Sequence, residues 1–378
     1  MNYSAPKPTY RLTSKSIHVD APLLMLLLIV VGVGLLILYS ASNENMGMLL
    51  RQLMRLALAF FIMLFFAIIP PHKYKAWTPL VYFSGLLLLL AVALIGTIGK
   101  GAQRWLDFGL FRFQPSEIMK LAVPMMAAWY FDQKTSTIGY KGAIAMKELL
   151  IAGLIIFIPT VLIAKQPDLG TAIMVLVSGL CVVFLAGLSL KILLGISTLI
   201  GLCVPLLWHF MHDYQRQRIF TLINPESDPL GAGYHIIQSK IAIGSGGVFG
   251  KGWLTGSQSH LNFLPEHATD FIFAVSGEEL GFLGSSILIV LLVLISLRGM
   301  QIAKEAQTTY TNLLAASLTM TFFFSAFVNI GMVMGILPVV GIPLPLISYG
   351  GTAMVTFLAG FGILMSISSH RILFTSFN

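Results

Sequence analysis

Long apolar segments, separated mostly by short polar ones, occupy almost the whole chain. Each apolar segment approaches the length of about 20 residues that a helix needs to cross the hydrocarbon core of a bilayer. None alternates between apolar and polar residues with a period of two, as the strands of a membrane barrel do. The pattern therefore predicts an all-α polytopic membrane protein with about ten transmembrane helices. The predicted helices cover residues 21–39, 50–69, 78–98, 116–131, 149–163, 171–188, 192–210, 271–297, 312–334 and 346–368.

One long polar segment, at about residues 211–269, precedes the eighth predicted helix. Counting helices from a cytoplasmic N-terminus makes this segment an extracytoplasmic loop and returns the C-terminus to the cytoplasm. Residues 234–243 within the loop are amphipathic and predict a short helix that lies along the membrane. Prolines and glycines at residues 338–351 break the apolar pattern, so we expect that loop to dip towards the membrane. We interpret residues 1–378 as a single integral membrane domain.

The composition and the charge agree with a membrane protein. Hydrophobic residues make up 57% of the chain and charged residues only 10%, which excludes an ordinary soluble domain. Basic cytoplasmic loops explain much of the net charge of +8, and nucleic-acid binding is a poor explanation in a chain this apolar. Other basic residues fall in the short outer loops, against the positive-inside tendency, so we expect an anionic ligand there. They are Arg51, Lys100, Arg104, Arg112 and Lys165.

The first candidate for chemistry is Asp270, which directly precedes an apolar run at residues 271–273. A carboxylate at a membrane boundary is costly unless it has a function. Partial desolvation makes such a carboxylate a stronger base, so Asp270 is a candidate general base. Glu266 and His267 lie close by, and the residues leave open whether they bind a divalent cation such as magnesium or manganese. The histidines of the long loop do not have the spacing of a structural zinc site.

A second group of ionisable residues precedes and begins the fourth predicted helix. Arg104 and Arg112 carry forked donors that suit a phosphate. Glu117 and Lys120 are three residues apart and share one face of that helix. Two interpretations of this pair stay open: a neutralised ion pair that packs two helices, or a pair that borders a polar substrate cavity.

Three further motifs each have a structural and a functional interpretation. Residues 165–170 are either a helix-capping turn or part of a site, and residues 348–352 either begin the last helix or line a site. The glycine-rich segment, residues 244–252, resembles a phosphate loop, but the motif G-x-x-x-x-G-K-[ST] fails at Ser245 and at Gly252. We therefore favour a flexible outer loop over a nucleotide site for this segment.

Four separated motifs occur in one order along the chain: RWLDFG with FQPSE at residues 104–117, QPDLG at 166–170, PEHATDFIF at 265–273 and GIPLPLISYGG at 341–351. With them the chain resembles the SEDS family (shape, elongation, division and sporulation) over nearly all the predicted helices. The resemblance implies a peptidoglycan glycosyltransferase that polymerises lipid II at the outer face of the bacterial inner membrane. It also implies a class B penicillin-binding protein as the partner that cross-links the glycan. The last motif resembles the elongation branch of the family more than the division branch.

The resemblance also implies roles for individual residues. Asp270 matches the essential aspartate of the family. In that family the growing glycan stays attached to undecaprenyl pyrophosphate, and an incoming lipid II supplies the sugar 4-hydroxyl. The candidate substrate-binding residues are Arg104, Arg112, Gln114, Ser116, Glu117, Lys120, Lys165, Asp168, Gln238, Lys240, Glu266, His267, Thr269, Ser348 and Tyr349.

This activity has definite chemical requirements. Converting an α-linked pyrophosphate into a β-1,4 linkage inverts the anomeric carbon, most simply by one direct displacement that needs one base. The leaving pyrophosphate gains negative charge, so cations placed beside it lower the barrier. Two other functions stay open: a flippase that carries lipid II across the membrane, and a scaffold that only recruits the penicillin-binding protein. The gathering of charges at the outer end argues against the flippase, and a scaffold leaves Asp270 unexplained.

Overall fold

The computed structural model describes residues 18–99, 102–107, 112–138, 146–188, 213–228, 231–260 and 266–370, with isolated positions between 194 and 202. Helices dominate these ranges. In chain order they are α1 (Ala21–Ala41), α2 (Met46–Ile68), α3 (Pro71–Ile95), α4 (Pro115–Ile138), α5 (Met146–Lys165), α6 (Leu169–Leu185), α7 (Asp213–Ile223), α8 (Ala232–Ser245), α9 (Ser257–His260), α10 (Ile272–Lys304), α11 (Thr309–Val333) and α12 (Thr352–Ser369). Three short strands, β1 (Thr97–Gly99), β2 (Ala102–Asp107) and β3 (Arg112–Phe113), lie between α3 and α4.

The helices confirm the class of an all-α polytopic membrane protein. Within the described ranges, seven helices are long and apolar enough to cross a membrane: α1, α2, α3, α5, α10, α11 and α12. Helix α6 is apolar but shorter, and α4 occupies the place of the fourth predicted helix while carrying several charged residues. The predicted helix at residues 192–210 lies almost entirely outside the described residues. The amphipathic stretch at residues 234–243 is helical, as predicted, and forms most of α8.

A small antiparallel sheet departs from the predicted purely helical fold. Its strands are ordered β1–β2–β3, and Trp105 lies opposite Thr97 while Leu106 lies opposite Phe113. This segment is too polar for a membrane helix, and strand pairing satisfies its backbone groups while its larger side chains meet across the strands. The sheet contacts α3 and α4 and carries Arg104 to the start of α4.

The centre of the bundle is built by α4, α6 and α11, which pack against one another. Small residues allow the close approach: a Cβ atom on Gly179 of α6 would lie 2.5 Å from Ile156 of α5. The hydroxyl of Ser317 donates to the carbonyl of Ser178 at 2.6 Å and joins α11 to α6. Around this centre, α2 packs on α12, α1 on α10 and α3 on α4. Helices α1, α2, α3 and α10 expose large apolar side chains on their outer faces, as expected next to lipid.

The last helix begins later than predicted, at Thr352 instead of residue 346. Leu346 has a φ of 67°, which a helix does not accommodate. The amide of Tyr349 donates to the carbonyl of Ala268, so this residue pairs with the segment before α10 instead of with a helical turn. Residues 346–351 therefore form a loop that is held against the neighbourhood of Asp270.

Helix α10, which follows Asp270, is broken at Gly281, where φ is 67° and ψ is −163°. The glycine-rich segment supplies hydrogen bonds at the break. The amides of Phe282 and Leu283 donate to carbonyls of this segment at residues 247 and 248, while the amides of residues 251 and 252 donate to the carbonyls of Glu278 and Glu279. Side chains cannot enter this junction, because a Cβ atom on Gly281 would lie 2.2 Å from the amide nitrogen of Gly250. The segment is thus neither a phosphate loop nor a free loop.

Two buried carboxylates reinforce the junction from the side of α10. Glu278 is completely buried and pairs with the Lys251 ammonium at 2.7 Å. It also accepts hydrogen bonds from the Ser257 hydroxyl at 3.0 Å and the Gln258 amide at 3.1 Å. Glu279 accepts from the hydroxyl of Ser40 near the end of α1. The first part of α10 is therefore fastened to the glycine-rich segment and to α1.

We expect Lys251→Met to lower the free energy of unfolding by about 1–3 kcal/mol, because Glu278 stays buried after losing its cationic partner. Thermal unfolding of the purified protein in detergent measures the loss. Lys251→Met/Glu278→Gln should recover part of it, and Lys304→Met, at an exposed position, serves as the control. Equal stability of Lys251→Met and Lys304→Met would show that the pair contributes little.

Candidate functional site

A cavity of about 720 Å³ lies at the end of the bundle where α4, α6 and α12 begin. Its wall combines the starts of these helices with β2, the turn before α10 and the loop before α12. The wall contains four carboxylates, from Glu117, Asp168, Glu266 and Asp270, and three cations, from Arg104, Lys120 and Arg218. A polar cavity of this kind in an apolar bundle is the natural candidate for the functional site.

Asp270 is half-buried in the wall of this cavity. A Cβ atom on Gly341 would lie 3.6 Å from its Oδ2 atom, so the carboxylate faces the backbone of the loop before α12. Gly341 has a φ of 73°, a conformation that favours glycine. The turn that holds Asp270 is closed by hydrogen bonds from the amides of Thr269 and Phe271 to the carbonyl of Glu266, at 3.0 and 3.2 Å.

Asn329 of α11 fixes the backbone around Asp270. Its Nδ2 atom donates to the carbonyl of Asp270 at 2.8 Å and to that of Ile342 at 2.7 Å, and the residue is completely buried. One amide group thus joins the turn before α10 to the loop before α12. The sequence reasoning missed this residue, although a side-chain amide inside an apolar helix is itself a signal for a specific hydrogen bond.

Arg104, Gln114 and Asp168 come together in the wall. The Nε2 atom of Gln114 donates to Asp168 Oδ2 at 2.7 Å and to the Ser116 hydroxyl at 3.0 Å, and Arg104 Nη1 lies 3.7 Å from Asp168 Oδ1. Asp168 also accepts from the amide of Thr171 at 3.3 Å and so caps α6. The turn at residues 165–170 therefore caps a helix, and its aspartate also lines the cavity.

Glu117 and Lys120 form the ion pair that their spacing predicts. The distance between Lys120 Nζ and Glu117 Oε1 is 2.7 Å, and both residues are about nine-tenths buried while lining the cavity. The other oxygen of Glu117 has no hydrogen-bond partner in the described part of the chain. The pair therefore borders a polar cavity while neutralising its own charge.

Other predicted residues take different positions. Glu266, Thr269 and Tyr349 line the cavity, and the Thr269 hydroxyl donates to the Glu266 carboxylate at 2.6 Å. Ser348 is buried, and its hydroxyl donates to the carbonyl of Thr269 at 2.6 Å, so it positions the turn. His267 is half-buried beside the turn. Across the described ranges, no three His, Cys, Asp or Glu side chains are grouped in a way that would hold a metal ion.

Six described substrate-binding candidates are not among the residues that line the cavity: Ser116, His267 and Ser348, described above, and Lys165, Gln238 and Lys240. Lys165 is exposed at the end of α5. Gln238 and Lys240 belong to α8, and the Lys240 side chain extends over Gly335 beyond the end of α11. The side chain of Arg112 lies outside the described part of the structure.

Further cations lie at or near the cavity that were not among the candidate substrate-binding residues, although Arg51 is one of the outer basic residues for which an anionic ligand was expected. Arg218 of α7 lines it. Arg51 and Arg55 of α2 meet at Tyr349: Arg51 Nε donates to the phenol oxygen at 3.3 Å, and the Arg55 guanidinium lies 4.6 Å from the ring centre. Partial burial acts to raise the pKa of the Tyr349 phenol, but the Arg51 hydrogen bond and the charges of Arg55 and Arg51 outweigh it and lower that pKa. The sequence did not indicate a binding role for Arg55, because it lies within an apolar run, or for Arg218, because it lies within the long loop.

Comparison with known proteins places the chain in a defined group. Residues 20–372 match the family model of the FtsW, RodA and SpoVE proteins, described as cell cycle proteins. The chain is 52% identical to the peptidoglycan glycosyltransferase MrdB of Escherichia coli K12 over 356 residues, which are 94% of this chain and 95% of that one.

Solved structures agree with this match. A peptidoglycan synthase complex that coordinates polymerization and crosslinking contains a similar chain, with a TM-score of 0.81 at 28% identity over 93% of this chain and 97% of that one. The rod shape determining protein RodA of Thermus thermophilus gives a TM-score of 0.68 at 26% identity, over 93% and 96% of the two chains.

Proposed function

Because the chain belongs to the FtsW, RodA and SpoVE family and is a peptidoglycan glycosyltransferase, we propose that it polymerises lipid II into β-1,4-linked glycan. Undecaprenyl pyrophosphate leaves at each addition. The observation that carries this proposal is the position of Asp270, which faces a polar cavity that also contains Arg104, Lys120 and Arg218. A base and several cations around one cavity are what a displacement at a sugar pyrophosphate requires.

Asp270 acts as the general base in this mechanism. It accepts the proton of the acceptor 4-hydroxyl as that oxygen forms a bond to the anomeric carbon of the donor glycan. The bond between the anomeric carbon and the pyrophosphate oxygen breaks, and its electron pair leaves with the pyrophosphate. The anchored backbone at Asn329 and Gly341 supports this role, because a base must be held within reach of the proton that it accepts.

The cations of the cavity stabilise the charge that develops on the leaving group. Arg104 approaches Asp168 only at 3.7 Å, and its side chain is 25% exposed in the wall of the cavity, which leaves it donors for a phosphate oxygen. Lys120 is held by Glu117, and Arg218 faces the same space from α7. A fixed cation costs no reorganisation when the charge appears.

The same proposal gives the protein a place and a partner. It is a multi-pass protein of the bacterial inner membrane, with both termini in the cytoplasm and the cavity open to the periplasm. The family match over residues 20–372 supports treating the chain as one domain. The likeness to a chain of a polymerizing and crosslinking complex supports a class B penicillin-binding protein as the partner. The 52% identity to MrdB supports a role in cell elongation over one in division.

Purified protein, alone and with its partner, should convert labelled lipid II in detergent into polymer. Gel separation of the products measures this, with lipid II in vesicles as a parallel assay for movement between leaflets. Movement without polymer would favour the flippase, and neither polymer nor movement would favour the scaffold.

We expect Arg104→Ala to weaken binding of a lipid pyrophosphate about tenfold and to make the binding less sensitive to salt, because a charge-assisted contact is lost. Titration of the purified variant at several ionic strengths measures both effects. Lys165→Ala is the matched comparison, since the exposed Lys165 does not line the cavity. Equal affinities of the two variants would remove Arg104 from the binding site.

A further inference from the structure

The reaction under the proposed function brings together two lipid pyrophosphates, one on the donor glycan and one on the acceptor lipid II. Only the donor pyrophosphate leaves from the reacting carbon. The acceptor pyrophosphate is separated from its attacking hydroxyl by a whole disaccharide. One cluster of cations at the reacting carbon therefore cannot bind both, and a second anion site is needed elsewhere on the protein.

Charge compensation distinguishes the arginines of α2 from Lys120 and Arg104. Lys120 is neutralised by Glu117, and Arg104 faces Asp168. Arg51 and Arg55 have no carboxylate within ion-pair distance among the described residues. Both contact Tyr349: Arg51 donates a hydrogen bond to its phenol oxygen, and the guanidinium of Arg55 lies over its ring. Arg51 is exposed and Arg55 is half-buried, so both keep hydrogen-bond donors that an anion can reach.

The position of these arginines on α2 points to a lipid. Arg55 lies more than two turns beyond the start of α2, within a helix that is apolar enough to cross a membrane. Leu50, Met54 and Leu58 of the same helix are more than half exposed, so an acyl or prenyl chain can lie along it. A headgroup on these arginines can thus belong to a molecule whose tail stays in the bilayer.

The beginning of α12 adds donors to the same place. Its N-cap residue Gly351 provides no side-chain cap, and a Cβ atom there would lie 3.5 Å from Arg55 Cδ. Gly350, Gly351 and Thr352 line the cavity, and a Cβ atom on Gly350 would meet no atom within 4 Å. The amides at the start of a long helix attract phosphate, and here they supplement two arginines beside them.

We propose that Arg51, Arg55 and the start of α12 bind the pyrophosphate of the acceptor lipid. The tail of that lipid lies along α2, and its sugars pass Gly350 into the cavity that contains Asp270. A pyrophosphate fits this place better than the single phosphate of a phospholipid, because two forked cations and a helix start offer more donors than one phosphodiester can use. The loop at residues 348–352 thereby has a binding role in addition to beginning a helix.

The test uses the full-length protein in phosphatidylcholine nanodiscs, titrated with geranylgeranyl pyrophosphate. Arg51→Gln/Arg55→Gln should weaken binding at least tenfold and reduce its dependence on salt. Gly350→Ala should also weaken it, because the added Cβ atom occupies open space before α12 and meets no protein atom within 4 Å. Lys73→Gln, at an exposed position at the start of α3, should bind like the parent.

Unchanged affinity in the double arginine variant, at matched folded yield, would overturn the proposal. It would also be overturned if phosphatidylglycerol competed as well as the pyrophosphate lipid, since the arginines would then bind ordinary anionic lipids. Polymerisation with varied lipid II gives an independent readout: the double variant should raise KM with a smaller change in kcat. Failure of the parent protein to polymerise would contradict the proposed function instead.

Discussion

Asp270→Asn is expected to reduce glycan polymerisation roughly 10²- to 10⁴-fold, the usual contribution of a positioned general base. The change keeps the size of the side chain and removes its ability to accept the proton. Asn329 binds the backbone carbonyl of residue 270, which the substitution retains, so the turn should keep its position. Initial rates of lipid II polymerisation by parent and variant, each with the partner protein and across pH, measure the loss.

The control for this experiment is Glu266→Gln, which removes a carboxylate from the same turn and the same cavity. Its activity should fall much less than that of Asp270→Asn. Folded yield and partner binding should be parental in both variants. Near-parental polymer from Asp270→Asn would end its assignment as the base and make Glu266 the next candidate.

The second large effect is expected at the buried ion pair. Lys120→Met should lower the free energy of unfolding by about 3–5 kcal/mol, because Glu117 is left as an unpaired charge in a nearly buried position. Glu117→Gln/Lys120→Met should be less destabilised than Lys120→Met, since the double variant retains no uncompensated charge. Thermal unfolding of the purified variants in detergent, together with their polymerisation rates, measures both parts.

The matched control is Lys75→Met, which breaks the more exposed Lys75–Asp132 ion pair. Solvent screens this pair through Lys75, whose side chain is 44% exposed, so this variant should lose much less stability than Lys120→Met. If Glu117→Gln, Lys120→Met and the double variant all retain parental stability and activity, the pair has neither role.

The membrane helices could be predicted because hydropathy is a property of local sequence. The helix at residues 192–210, which lies almost entirely outside the described structure, stays a prediction. The start of α12 could not be placed, because the amide of Tyr349 pairs with the carbonyl of Ala268, a residue distant in the sequence. The small sheet was missed for a related reason, since short strands between two helices give almost no periodic signal.

The site could be predicted in part. Asp270, Glu117 and Lys120 were found because ionisable residues are rare in apolar segments and so attract notice. Asn329 was missed because it donates hydrogen bonds to two backbone carbonyls that come close to it only in the folded chain. Lys240 was selected for its charge, yet its side chain extends over Gly335, and no local pattern could have distinguished it from Arg218.

The break at Gly281 has a consequence for inhibition. Asp270 directly precedes a short helical piece that ends at the break at Gly281, where the backbone is hydrogen-bonded to residues 247–252. A small molecule that bound in this junction and separated its two sides would therefore move Asp270 away from the substrate without occupying the cavity. Such a compound would not compete directly with lipid II for the cavity, and the close glycine contacts at the junction define the shape that it must match.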